Sequence, residues 1–143
     1  LTARLRITIQ SHCDNVNRIG LVKLAGDEIN GFTVNVIAST AGQSFDQVIR
    51  DNLINPGGHE ILIDGTTTRQ VEWSLNQNEE GFYAPVFINQ HTNDLFTFGA
   101  TSARDNQIHV KNLGSNFFGY EDTLSEQNSD WDFNDITMLV EMI

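Results

Sequence analysis

Short segments in which apolar and polar residues alternate recur along this chain, separated by turn residues such as Asp64-Gly65 and Asn93-Asp94. Alternation with a period of two is typical of half-buried β-strands, because successive side chains of a strand point to opposite faces of the sheet. Many short strands at this spacing favour an antiparallel sandwich or jelly roll over a parallel α/β sheet. We predict strands at Leu5–Ile9, Val16–Leu24, Phe32–Val36, Glu60–Ile63, Gln70–Leu75, Phe82–Ile88, Leu95–Phe98, Ile108–Val110, Phe117–Glu121 and Asp135–Met142.

One segment, Phe45–Ile54, departs from this alternation and carries its apolar residues at helical intervals instead. Ser44 and Gln47 before and within it have the spacing of a capping box, and the run Asn55-Pro56-Gly57-Gly58 that follows is a strong helix breaker. The predicted fold is therefore all-β, an antiparallel β-sandwich of jelly-roll type with one short helix.

The length of 143 residues suits one domain with a hydrophobic core and is too short for two of ordinary size. The sequence shows no internal repeat or linker, so we expect a single module over residues 1–143. A single cysteine, Cys13, excludes an internal disulfide and a thiolate zinc cluster. Because no targeting pattern precedes Leu1, we expect a mature or excised domain whose targeting signal is not in this sequence.

Acidic residues dominate the charge, with nineteen Asp and Glu against eight Lys and Arg and a net charge of −11. Such a protein repels nucleic acid and anionic membranes, and no apolar run is long enough for membrane insertion, so we expect neither partner. No Lys or Arg follows Lys111, and the acids beyond it are Glu121, Asp122, Glu126, Asp130, Asp132, Asp135 and Glu141. Aromatic and aliphatic residues alternate with these acids, so the stretch must fold against the core. Carboxylates held together in this way repel one another unless they are protonated or bind a cation.

The motif Asp130-Trp131-Asp132-Phe133-Asn134-Asp135 concentrates oxygen ligands within six residues. Calcium takes six to eight oxygen ligands from carboxylates, amides and carbonyls, so Asp130, Asp132, Asn134 and Asp135 form a candidate Ca²⁺ site. A loop closing from Tyr120 to Trp131 would bring Glu121 and Asp122 to the same ion. The spacing is not that of an EF-hand, because Asp135 stands where that loop requires glycine. The alternative is a solvated acidic face, or a set of turns and caps.

Five segments of this chain form an ordered pattern of motifs: Val16–Val22, Ser44–Ile54, Ile108–Gly114, Phe118–Asp122 and Asp130–Asp135. The order and spacing of these motifs resemble a bacterial domain family of unknown function. That family occurs in large secreted and cell-surface proteins, often with haemolysin-type calcium-binding repeats or adhesin modules, and ends in Phe-Glu-Asp-Leu followed by Asp-Arg-Asp-Phe-Asn-Asp. Here Thr123–Ser129 replaces the family's Gly-rich turn, and Trp131 replaces its basic residue. The resemblance implies an all-β, calcium-dependent module, secreted or at the cell surface, that binds carbohydrate or mediates adhesion.

Three further residues are candidates for ligand contact. Trp131 would stack on a sugar ring beside the ion if it were exposed, and is ordinary core if it points inward. Tyr120 would offer a hydroxyl, although packing in a strand also explains it. Asp105 would add a ligand, although a turn role suits it better.

We therefore expect a non-catalytic, calcium-dependent recognition module whose partners are a surface glycan or polysaccharide and the neighbouring domains of a larger surface protein. The first alternative is a purely structural spacer or assembly domain stabilised by calcium. A carbohydrate-active enzyme with two facing acids is the weaker alternative. We predict no catalytic residues, because the four histidines lack the spacing of a zinc-enzyme motif and no Gly-x-Ser-x-Gly elbow occurs.

Overall fold

The computed structural model describes residues 3–13, 15–23, 45–76, 79, 81, 83–98, 107–121 and 135–143. Within them lie nine strands, one α-helix and one 3-10 turn. The strands are β1 (Ala3–His12), β2 (Asn17–Lys23), β3 (Ile61–Ile63), β4 (Thr66–Leu75), β5 (Tyr83–Asn89), β6 (Leu95–Thr97), β7 (Val110–Gly114), β8 (Phe117–Tyr120) and β9 (Ile136–Met142). The helix α1 is Phe45–Asp51, and the 3-10 turn is Pro56–Gly58.

Two antiparallel sheets make up the fold. The first has the order β4-β1-β9-β8-β7, and the second has the order β3-β2-β5-β6. The prediction of an all-β, sandwich-like architecture with one short helix is therefore confirmed. The central strand of the first sheet, β9, pairs with β1, and these two strands come from opposite ends of the described chain.

The hydrophobic core lies between the sheets. From the first sheet it contains Ile7, Met138 and Tyr120, and from the second Ile19 and Phe87, all fully buried. Their positions follow the alternation in each strand, since inward and outward side chains alternate along a strand. Trp73 of β4 also belongs to this core, as its alternation with Val71 and Leu75 predicts.

The two middle strands of the second sheet, β2 and β5, are buried on both faces. Val86 and Ile88 of β5 point away from Phe87 and form a separate cluster with Val22 and with Ile49 of α1. A strand covered on both sides needs apolar residues throughout, which explains why β5 is buried along almost its whole length.

The helix ends at Asp51, before the predicted Ile54. Ile54 exchanges backbone hydrogen bonds with Leu21 of β2, at 2.7 and 3.0 Å between nitrogen and oxygen atoms. Gly20 allows this close approach, because a Cβ atom there would lie 2.7 Å from Cδ1 of Leu53. Apolar spacing alone does not distinguish a last helical turn from a segment that bridges to a strand.

Three further boundaries bear on the prediction. β4 begins at Thr66 rather than Gln70, because all ten of its residues pair with β1. The strand predicted at Ile108–Val110 is found at Val110–Gly114, where it pairs with β8. The predicted strand Phe32–Val36 and the capping residue Ser44 lie outside the described residues.

Among the described residues, no helix has the length and apolar character needed to cross a membrane.

Candidate metal centre

Four residues lie in one row across the first sheet, at the end where the chain leaves β8 and enters β9. The last pair of the β8–β9 ladder is Tyr120 with Ile136, so Glu121 and Asp135 are the opposed residues one step further out. On one side of this pair the amide of His12 donates to the carbonyl of Asp135 at 2.8 Å. On the other side the amide of Glu121 donates to the carbonyl of His109 at 2.8 Å. The order across the sheet is therefore His12, Asp135, Glu121, His109.

The carboxylate of Glu121 is the unusual group in this row. Glu121 is 1% exposed, and its Oε2 atom is buried without a hydrogen-bond partner. Strand alternation from the inward-pointing Tyr120 would direct this side chain to the outer face, yet the carboxylate is enclosed rather than solvated. Burying a charged carboxylate without compensation is costly, so the site favours a group that can bind this oxygen.

The backbone of Glu121 is firmly held by His109. Besides the amide contact, Nδ1 of His109 lies 2.7 Å from the carbonyl oxygen of Glu121. A carbonyl oxygen can only accept, so Nδ1 carries the proton in this hydrogen bond. The ring of His109 is 1% exposed and lies 4.2 Å from that of Phe96, between centroids. His109 therefore positions Glu121 from the neighbouring strand.

Asp135 is the second described member of the predicted ligand set. It is half-buried, and the register places its Cα opposite that of Glu121, a separation of about 4.5–5.5 Å in an antiparallel pair. The register therefore places Glu121 and Asp135 opposite one another, and the ion predicted to lie between the two acidic groups stays a prediction. Side chains of opposed residues in an antiparallel pair lie on the same face of the sheet, and like charges placed opposite one another are destabilising unless a cation or a proton compensates them.

The remaining predicted ligands, Asp122, Asp130, Asp132 and Asn134, lie outside the described residues, as do Trp131 and Asp105. Their roles stay predictions. In the part of the chain that the structure describes, no group of three or more His, Cys, Asp or Glu side chains converges to hold a metal ion. Glu121 and Asp135 alone therefore do not make a site. The donors predicted to complete it are oxygens, which suits a hard cation such as calcium.

Tyr120 lies in the core directly beneath this pair. Its side chain is fully buried, and its ring stacks on that of Phe87 with centroids 4.4 Å apart. Its hydroxyl donates to Oδ1 of Asn17 at 3.2 Å, and Asn17 is itself fully buried. Packing in the core thus accounts for Tyr120, which is the alternative given above to a ligand contact.

The sequence did not indicate the polar residues next to His12 in this row of four residues. Nδ2 of Asn17 lies 3.6 Å from Sγ of Cys13, and Oγ of Ser11 lies 3.4 Å from the same sulfur atom. Neither this cluster nor the contact of His109 with Glu121 has a local sequence signal. Each depends on the register between strands that are distant in the sequence.

Comparison with known proteins returned no match to any protein-family model, curated protein or solved structure. The resemblance to the bacterial surface-domain family therefore stays a prediction from the motifs quoted above.

Proposed function

We propose that this chain is a non-catalytic module of a secreted or cell-surface protein that binds calcium where its acidic loop joins β8 and β9. The ordered loop then recognises carbohydrate. The observation that carries the proposal is Oε2 of Glu121, a buried carboxylate oxygen without a hydrogen-bond partner, in the residue opposite Asp135.

Charge supports a cation at this place. Most of the excess negative charge follows Lys111, and Glu121 and Asp135 hold the two ends of that acidic stretch side by side. Calcium requires six to eight oxygens, more than these two side chains supply. Asp122, Asp130, Asp132 and Asn134 are the residues proposed to complete the coordination.

The position of residues 122–134 in the chain supports recognition. They connect β8 to β9 at one end of the sandwich, and connections between strands of a rigid scaffold are the usual place for binding residues. Trp131 belongs to this segment in the sequence, and we propose that its ring covers the C–H face of a sugar whose hydroxyls approach the ion.

One observation favours the purely structural alternative. The row joins β1, β9, β8 and β7, and the fully buried Tyr120 lies directly below it. An ion held by Glu121 and Asp135 would fasten this end of the sheet whether or not a ligand were bound.

The test is a glycan array probed with the protein in calcium and in chelator. We expect calcium-dependent binding to bacterial polysaccharides that is lost in Asp132→Ala and in Trp131→Ala. Glu141→Gln is the matched control, because Glu141 is an exposed acid at the opposite end of β9 and should bind as the parent does. Calcium-dependent stabilisation without glycan binding would support the structural alternative instead. Absence of any calcium effect would contradict both.

A further inference from the structure

A cavity of about 290 Å³ lies between the sheets, at the opposite end from Glu121 and Asp135. Its walls include Leu5 of β1 and Val140 of β9. Leu5 is seven residues from His12 along β1, about 23 Å at a rise of about 3.3 Å per residue, and Phe118 of β8 is three residues, about 10 Å, from Glu121. Neither Glu121 nor Asp135 lines the cavity, which is therefore distinct from the candidate metal centre.

Four aromatic rings line this cavity in two edge-to-face pairs. Trp73 and Tyr83 have ring centroids 5.3 Å apart and planes at 81°, and Phe98 and Phe118 have centroids 5.4 Å apart and planes at 78°. Trp73 and Phe118 are buried, and both belong to the core that joins the sheets. The walls therefore present aromatic faces and edges already fixed by packing, as expected of a preformed ligand site.

The polar lining is small and comes mainly from the β7–β8 hairpin. Oδ1 of Asn112 accepts a hydrogen bond from the amide of Gly114 at 2.8 Å, so its NH₂ group is the part able to donate to a ligand. The carbonyl of Asn116 accepts from the amide of Val140 at 3.0 Å, which fixes its backbone at the cavity. The hydroxyl of Tyr83 donates to the carbonyl of Glu79. The described lining residues include no charged side chain.

We propose that this cavity binds a small, uncharged, one- or two-ring compound that carries a single hydrogen-bonding group. An ion would lose its hydration among uncharged lining side chains, since Lys23, whose Nζ lies 6.0 Å from the centroid of the Tyr83 ring, is not itself part of the lining. A sugar would bury more hydroxyls than two amide side chains satisfy. The size agrees, because an apolar cavity of about 150 Å³ binds benzene and this one has about twice that volume. The proposal goes beyond calcium-dependent recognition and does not depend on it.

Indole is a suitable probe, and its binding is measured by two-dimensional NMR in calcium and in chelator. We expect saturable shifts of the indole N–H of Trp73 and of the side-chain amides of Asn112 and Asn116 in both conditions. Methyl β-glucoside at the same concentrations should leave these signals in place. Persistence in chelator separates this site from the metal centre, so failure of one proposal does not affect the other.

Val140→Phe places a ring into the cavity and should weaken indole binding by about tenfold or more, equivalent to about 1.4 kcal/mol. Leu139→Phe is the matched control, because Leu139 is the adjacent residue of β9 and faces the opposite side of the sheet. Leu5→Phe fills the same cavity from β1 if Val140→Phe does not fold. Undiminished indole binding in a folded cavity-filling variant, no indole shifts in the parent, or glucoside shifts at these residues would each overturn the proposal.

Discussion

The ring of Tyr120 in β8 stacks on the ring of Phe87 in β5, with centroids 4.4 Å apart and planes 8° apart. Both residues are fully buried, and they join the two sheets directly beneath Glu121. The end of β8 thus contributes Tyr120 to the core and is followed directly by Glu121 of the candidate metal centre.

Substitutions at these two residues should therefore lower the free energy of unfolding. Phe87→Ala should lower the free energy of unfolding by about 3–5 kcal/mol, because it removes a large buried side chain. Tyr120→Phe keeps the stack and removes the hydrogen bond to Asn17, which should cost about 1–3 kcal/mol. Urea unfolding measures both. Phe117→Ala, at a half-buried position of β8, is the control, and a Phe87→Ala cost no larger than the control's would contradict this packing.

Alkaline pH should destabilise the protein through Tyr83. Burial raises the pKa of the Tyr83 phenol above its usual value of 10.0, and the nearby negative charge of Glu79 raises it further. The unfolded chain then loses this proton before the folded protein does. The stability is fully present below pH 10 and falls as the pH rises through the higher folded pKa.

Urea unfolding at a series of pH values above 9 measures this effect, with Tyr83→Phe as the comparison. We expect a shallower fall of the unfolding free energy in Tyr83→Phe, since this variant cannot titrate at that position. Identical slopes for the two proteins would show that Tyr83 is not responsible.

Much of the fold could be predicted because it depends on local alternation. The segments around Ile7, Ile19 and Met138 alternate as strands do, and each is a strand whose inward residues enter the core. The end of the helix could not be predicted in the same way. Leu53 fits the helical spacing, but the segment that contains it leaves the helix because Ile54 pairs with Leu21.

Only part of the candidate metal centre could be predicted from the sequence. Glu121 and Asp135 stand out in the sequence because acids crowd a stretch that must also pack, and the β8–β9 register places them opposite one another. His109 and Asn17 could not be identified in advance, because each becomes relevant through a partner more than ten residues away. A contact between residues of different strands can be identified only when the register of those strands is known.

Without calcium, Glu121→Gln should stabilise the protein. The substitution replaces a carboxylate whose Oε2 is buried and without a hydrogen-bond partner by a neutral amide, which costs less to bury than a charge, so the free energy of unfolding should rise. In calcium the same variant should be less stable than the parent, because it loses a charged ligand. Chemical denaturation with and without chelator measures both. Glu141→Gln, an exposed acid, should change neither, and a loss of stability in Glu121→Gln that is equal in both conditions would show that this carboxylate has only a structural role.

The most direct measurement is thermal unfolding of the calcium-free and calcium-loaded protein, with Asp132→Ala and Asp135→Ala beside them. A ligand that binds only the folded state at a hundredfold excess over its Kd stabilises that state by about 2.7 kcal/mol, or about 5–10 °C in Tm for a chain of this size. We expect a rise of this order with calcium, absent with magnesium and lost in both variants. No rise at millimolar calcium would mean that Glu121, Asp135 and the loop between them form an acidic surface without a metal, which contradicts the proposal.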